Sequence, residues 1–203
     1  FEVSVISDYS GSVGQYEINS DFFYGGANSL NSQTGLEGNK SPLGIANFDQ
    51  SIGQGNIIRY RQYVDVSGLG ASDEVCTRFA VQSPLTLANM ENYGVCLEVL
   101  YDRLSLVQDV ESTDTEPPVT TLDSETVTYS TQWYEVEIDW RTSGDIDVTL
   151  YDANRSVVAT VASSSSLYTS GGFGFTSWGQ YGAWDSYFAW PRTDTTPTVY
   201  VGA

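Results

Sequence analysis

Between Trp133 and Tyr151 apolar and charged side chains alternate with a period of two. Tyr134, Val136, Ile138 and Trp140 fall on one side; Glu135, Glu137, Asp139 and Arg141 fall on the other. After Thr142, Ser143 and Gly144 the alternation resumes, with Ile146, Val148 and Leu150 set against Asp145, Asp147 and Thr149. Successive side chains of a strand point to opposite faces, so this pattern predicts a β-hairpin with one apolar and one acidic face. An apolar face has to be covered by a second layer, which in an all-β chain means a sandwich or a barrel.

The same period recurs elsewhere. Over residues 57–66 Ile58, Tyr60, Val64 and Val66 take one face, and Arg59, Arg61 and Tyr63 the other. Residues 74–82 put Val75, Thr77, Phe79 and Val81 inward, with Cys76 and Arg78 outward. Residues 93–101 put Tyr93, Val95, Leu97, Val99 and Tyr101 inward, with Cys96 and Glu98 outward. Further strands are expected at 1–6, 15–19, 27–32, 103–110, 118–129, 156–162, 171–177 and 183–190. In the last of these Trp184, Phe188 and Trp190 share a parity and read as core. Apart from its short strand, the glycine-rich stretch 20–56 reads as loop, and 83–92 has room for one turn of helix at most. About a dozen strands and no convincing helix predict a two-sheet antiparallel β-sandwich. With 203 residues a single domain over 1–190 is expected, followed by a linker or the start of another segment over 191–203. Phe1 falls within strand-like sequence, which fits a processed or excised piece of a longer chain.

Charge narrows the environment. Asp and Glu number 26 against 8 basic residues, giving a net charge of −18 and a pI near 4.1. Aromatic residues make up 13% of the chain, so this is a folded domain with a carboxylated surface rather than a disordered acidic tail. Such a surface repels itself in dilute buffer and is screened in concentrated salt, so a salt-adapted protein is expected; the alternative is an ordinary acidic secreted domain. Lys40 and seven scattered arginines do not make the basic patch that nucleic acid requires. No apolar run approaches the ~20 residues of a membrane span. Cys76 and Cys96 are the only cysteines and the chain has no histidine, so zinc is an unsuitable use for them. Both alternate out of the apolar set of neighbouring strands. A cross-strand disulfide formed in an oxidising compartment is the simplest use; a pair of reduced, half-buried thiols is the alternative.

Several local patterns carry a resemblance: the opening Phe1-Glu2, the Trp133-Tyr134-Glu135-Val136-Glu137 strand, and Tyr168–Phe175 followed by Ala183–Phe188. With the acidic bias, the chain resembles the concanavalin A-like (laminin G-like) jelly-roll domains of haloarchaeal surface and viral proteins. It is also similar to jelly-roll carbohydrate-binding modules. The resemblance implies two antiparallel sheets, often with one concave face available to glycan, and no fixed activity. It further implies a structural calcium held by Glu2 and Asp185, joining the first and last strands. Calcium takes six to eight oxygens, so backbone carbonyls would have to contribute; the alternative is that both acids are surface charge.

Catalytic chemistry finds little support. Jelly-roll glycoside hydrolases of similar appearance carry Glu-x-Asp-x-Glu or Glu-x-Asp-x-x-Glu, and retaining hydrolysis needs two carboxyls about 5–5.5 Å apart. Glu137-Ile138-Asp139 begins that pattern, but the acid position holds Arg141, or Thr142 in the longer spacing. A guanidinium does not act as that acid. Without histidine, imidazole-based triads and lyase sites are excluded, leaving only a Tyr/Arg lyase.

Binding is better supported. Arg59, Arg61, Arg78, Tyr63 and Glu98 share the outward parity of central strands and are expected to converge on one polar floor. Guanidinium forks match carboxylate or sulfate, and a tyrosine ring offers a stacking surface for sugar. The alternative is that these arginines neutralise neighbouring acids. Trp178 and Tyr181, in a glycine-rich loop, offer a second stacking platform or else pack locally. The expectation is a non-catalytic, extracellular, cell-surface or virion-borne module that binds a cell-surface glycan or glycoprotein. The alternative is a structural subunit of a virus particle, filament or surface layer that meets neighbouring subunits through the same faces. A glycoside hydrolase or polysaccharide lyase stands third.

Overall fold

The structure, a computed structural model, describes residues 16–19, 29–32, 44–67, 74–82, 91–110, 119–178 and 182–192. Within these lie β1 (Tyr16–Asn19), β2 (Ser29–Ser32), β3 (Gly44–Gly53), β4 (Asn56–Val64), β5 (Glu74–Val81), β6 (Asn92–Glu98) and β7 (Arg103–Asp109). They continue with β8 (Val119–Thr126), β9 (Gln132–Trp140), β10 (Asp145–Tyr151), β11 (Val157–Ser164), β12 (Ser170–Trp178) and β13 (Gly182–Pro191). Every pairing is antiparallel. One sheet has the order β1-β2-β13-β4-β9-β10-β11 and the other β3-β12-β5-β6-β7-β8. This is a two-sheet jelly-roll sandwich, one of the two architectures that the alternation allows and the one that the resemblance implies. Residues 1–6 and 83–90, and 193–203 of the expected linker, lie outside the described residues.

Alternation builds the core directly. The hairpin β9–β10 pairs Ile146 with Trp140, Val148 with Ile138 and Leu150 with Val136, and all six side chains are buried. Ile58 and Tyr60 of β4 extend that apolar layer. Facing it from the other sheet are Phe79, Tyr93, Val95, Leu97, Leu104, Leu106, Phe173 and Phe175. The two layers meet ring against ring: Phe79 lies 5.4 Å from Trp140, Tyr60 6.5 Å from Phe173 and Phe175 5.0 Å from Trp184. The first two are edge-to-face and the third is tilted, and such ring contacts add to the area they bury. Gln62 sits on the apolar parity of β4, fully buried, and donates across the core to the Val75 carbonyl at 3.0 Å. A buried amide needs such a partner.

Three local expectations are corrected. The stretch 20–56 contains a ten-residue strand, β3, paired with β12; its Gly, Asn and Gln content disguises it as loop. The strand expected over 93–101 stops at Glu98, and Val99–Tyr101 form a 3-10 turn closed by Asp102 in the left-handed conformation. Tyr101, expected inward, is therefore 62% exposed. Finally, Phe188 and Trp190 leave the core for a reason that matters to the site.

Candidate functional site

The outer faces of the two sheets differ in access. On the six-stranded sheet Cys76 pairs directly with Cys96 and Cys96 with Ser105. The two cysteines form a disulfide with Cα atoms 4.1 Å apart, as their shared parity predicts. Arg78 donates to Thr176 Oγ1 at 3.1 Å and to Asp109 Oδ2 at 2.5 Å. Its guanidinium crosses β6 over Gly94, where a Cβ would lie 2.6 Å from Nη1. Cys76, Arg78, Cys96, Ser105, Val107, Asp109 and Thr176 are all buried. Burial raises the Asp109 pKa despite the opposing guanidinium of Arg78. This face is an internal polar layer.

Arg78 and Glu98 therefore do not share a floor with Arg59, Arg61 and Tyr63, which is a correction. β4 lies in one sheet and β5 and β6 in the other, so equal parity sends their side chains to opposite outer sides of the sandwich. Glu98 is buried and ion-paired with Arg103.

The seven-stranded sheet presents the more accessible face. Antiparallel register places Asp185, Arg61, Glu135 and Tyr151 in one row across β13, β4, β9 and β10. The next row holds Phe188, Arg59, Glu137 and Thr149, and the row on the other side holds Tyr63 beside Trp133. Glu135 is the hub, only 5% exposed. Its Oε2 accepts from Arg61 Nη2 at 2.8 Å, and its Oε1 lies 3.0 Å from Arg155 Nη2 and 3.5 Å from Arg59 Nε. Arg59 also donates to Glu137, through Nε at 3.0 Å and through Nη2. Rings frame these charges. The Arg59 guanidinium lies 5.2 Å from the Trp190 ring and that of Arg155 5.8 Å from the Tyr151 ring, while Tyr63 and Trp133 are 5.6 Å apart. Burial, and then the Asp65 carboxylate, push the Tyr63 phenol pKa up, so it remains a hydroxyl donor.

A β-bulge creates part of this face. Asp185 pairs with Arg61 and Phe188 with Arg59, so Ser186 and Tyr187 together oppose the single residue Tyr60. Ser186 has φ +54°. The extra residue reverses the parity of everything after it and turns Phe188, 49% exposed, and Trp190 onto the outer face. Bulges commonly re-aim side chains in this way.

The sequence anticipated Arg59, Arg61 and Tyr63 on this face and missed Trp133, Tyr151, Arg155, Phe188 and Trp190. Trp133 and Tyr151 were legible from the parity of the hairpin, since each alternates with its charged side. Arg155 comes from the β10–β11 turn and Phe188 and Trp190 from the bulge, where alternation carries no information. Trp178 ends β12, a strand of the other sheet from β4, and Tyr181 lies outside the described residues. Glu2 also lies outside them. Asp185 Oδ1 accepts from the Ser186 amide at 2.5 Å and from its hydroxyl at 3.2 Å. Among the described residues no group of three or more acids gathers as a metal cage.

No family model and no curated protein matches the chain. Solved structures do. The VIP36 exoplasmic/lumenal domain, in a Ca2+/Man3GlcNAc-bound form, is similar with a TM-score of 0.61 and 10% identity, covering 90% of this chain and 86% of that one. A legume lectin-like domain from Entamoeba histolytica gives 0.59 and 10%, covering 89% and 91%. The carbohydrate-binding module CBM66 from Bacillus subtilis gives 0.59 and 7%, covering 79% and 85%. An enzyme, the endo-β-1,4-glucuronan lyase of the fungus Trichoderma reesei, also matches, at 0.53 and 10%, covering 86% and 85%. At such identities these likenesses establish the fold, a two-sheet antiparallel β-sandwich, and nothing finer.

Proposed function

We propose that the protein is a non-catalytic carbohydrate-binding module of a salt-adapted extracellular or virion surface, taking a hydroxyl-rich glycan on the outer face of its seven-stranded sheet. The observation that carries this reading is the set of rings, Tyr63, Trp133, Tyr151, Phe188 and Trp190, arranged around the guanidiniums of Arg59, Arg61 and Arg155. Sugars present apolar C–H faces that stack on rings, and hydroxyls that donate to carboxylates and accept from guanidiniums. Lectins and a carbohydrate-binding module among the structures of similar fold support the same reading. A lyase using a tyrosinate base is disfavoured at Tyr63, whose pKa moves in the wrong direction. Calcium remains a proposal that depends on Glu2.

The test is isothermal titration in molar NaCl against panels of neutral and uronate oligosaccharides. Phe188→Ala removes an exposed side chain and should leave the melting temperature in place; Arg155→Ala also takes an ion-pair partner from Glu135, so its affinity is read at temperatures where circular dichroism shows it folded. Affinity is expected to fall about tenfold, the equivalent of ~1.4 kcal/mol. Binding unchanged in both variants contradicts the assignment.

A further inference from the structure

The two sheets leave a pair of edges side by side. Among the described residues β8 closes the six-stranded sheet, paired with β7 alone, and β11 closes the seven-stranded sheet, paired with β10 alone. An edge strand carries a row of backbone groups with no ladder partner, a template for another strand. On β11 two of these are already engaged, and by side chains. Glu125 Oε2 accepts from the Thr160 amide at 2.6 Å, and Asp123 Oδ2 accepts from the Ala162 amide at 2.8 Å. Asp123 is itself held by the Ser124 amide, 2.8 Å from Oδ1. The two carboxylates sit two residues apart on β8 and meet amides two residues apart on β11, so they match the spacing of a neighbouring strand.

The strand they cover is otherwise unprotected. From Ser156 to Trp184 the sequence has no Asp, Glu, Lys or Arg, although 17% of the chain is charged. β11 reads VVATVASS, with Val157 61% exposed. High β-propensity, no charge and no proline are the properties of a segment that pairs with copies of itself. Lysine, proline or inward charge, the usual protections of an edge, are absent from it.

We infer that Asp123 and Glu125 guard the β11 edge, and that the partner they exclude is β11 of a second copy of this chain. Antiparallel β11–β11 pairing uses the same surface twice and closes at two copies. Acidic side chains exclude it twice over: they take up the outward amides, and they place negative charge where the second chain would bring its own.

Asp123→Ala/Glu125→Ala in the full chain removes the guard. By sedimentation velocity at matched concentration and salt, the variant is expected to show twice the wild-type mass, and Thr160→Lys added to it is expected to restore the wild-type mass. A variant with wild-type circular dichroism and unchanged mass overturns the proposal, and so does a doubled mass that Thr160→Lys leaves in place. If the double variant fails to fold, amide hydrogen exchange of the wild type decides: protected Thr160 and Ala162 amides support the guard, and exchange at the rate of open amides overturns it.

Discussion

Asp65 and Asp109 show how far local surroundings separate two carboxyls of one type. Asp65 accepts from the Ser67 hydroxyl and amide and from Thr131, which hold its pKa below the usual carboxylate range. Asp109 is buried beside Arg78, and burial, opposed by the guanidinium, moves its pKa above that range. The signs of their linkage to stability are opposite. The contribution of Asp65 is present above the unfolded-state value, about 3.9, and is lost as pH falls through its lower folded value. That of Asp109 is present at low pH and is lost as pH rises from about 3.9 to its higher folded value. A carboxyl-carbon NMR titration is expected to show Asp65 with a midpoint below about 3.9 and Asp109 above it; the reverse order contradicts both environments. The environment of Asp109 was not legible from the sequence, because its carboxylate's partner, Arg78, comes from β5, 31 residues away in the chain.

At the scale of elements, legibility followed regular alternation. The hairpin β9–β10, the parity of β4 and the disulfide across β5 and β6 could all be read because one face of each strand is predominantly apolar. Two kinds of feature escaped. β3 hides behind glycine and amide residues, and its pairing to β12 is supplied by the neighbouring strand rather than by its own pattern. β13 changes parity at a bulge, so its second half reads as core when it faces outward. Parity also says nothing about which sheet a strand joins, and this is why Arg78 and Glu98 were grouped with Arg59. The bulge rests on a left-handed residue, Ser186, and non-glycine residues are disfavoured there by roughly 1–2 kcal/mol. Ser186→Gly is expected to leave unfolding free energy unchanged or to raise it by up to ~1 kcal/mol, and Ser186→Val to lower it by ~1–2 kcal/mol, in urea titrations. A stabilising valine contradicts the bulge.

For the whole molecule, charge and fold meet in one consequence. A net charge of −18 on a closed sandwich repels itself over a Debye length of ~10 Å at 0.1 M salt and ~3 Å at 1 M. Melting temperature is therefore expected to rise with NaCl through the molar range, by ~2–4 °C for each kcal/mol of repulsion relieved. A flat or falling curve contradicts salt adaptation. The outer face of the seven-stranded sheet is the proposed ligand surface, and its tryptophans provide a direct readout. Trp133 and Trp190 belong to that face, whereas Trp140 and Trp184 are buried between the sheets. The decisive measurement is a 15N-indole NMR titration with a bound oligosaccharide in molar salt. The expected result is movement of the Trp133 and Trp190 indole signals while those of Trp140 and Trp184 stay in place; saturation by a tightly bound glycan with Trp133 and Trp190 unmoved contradicts it.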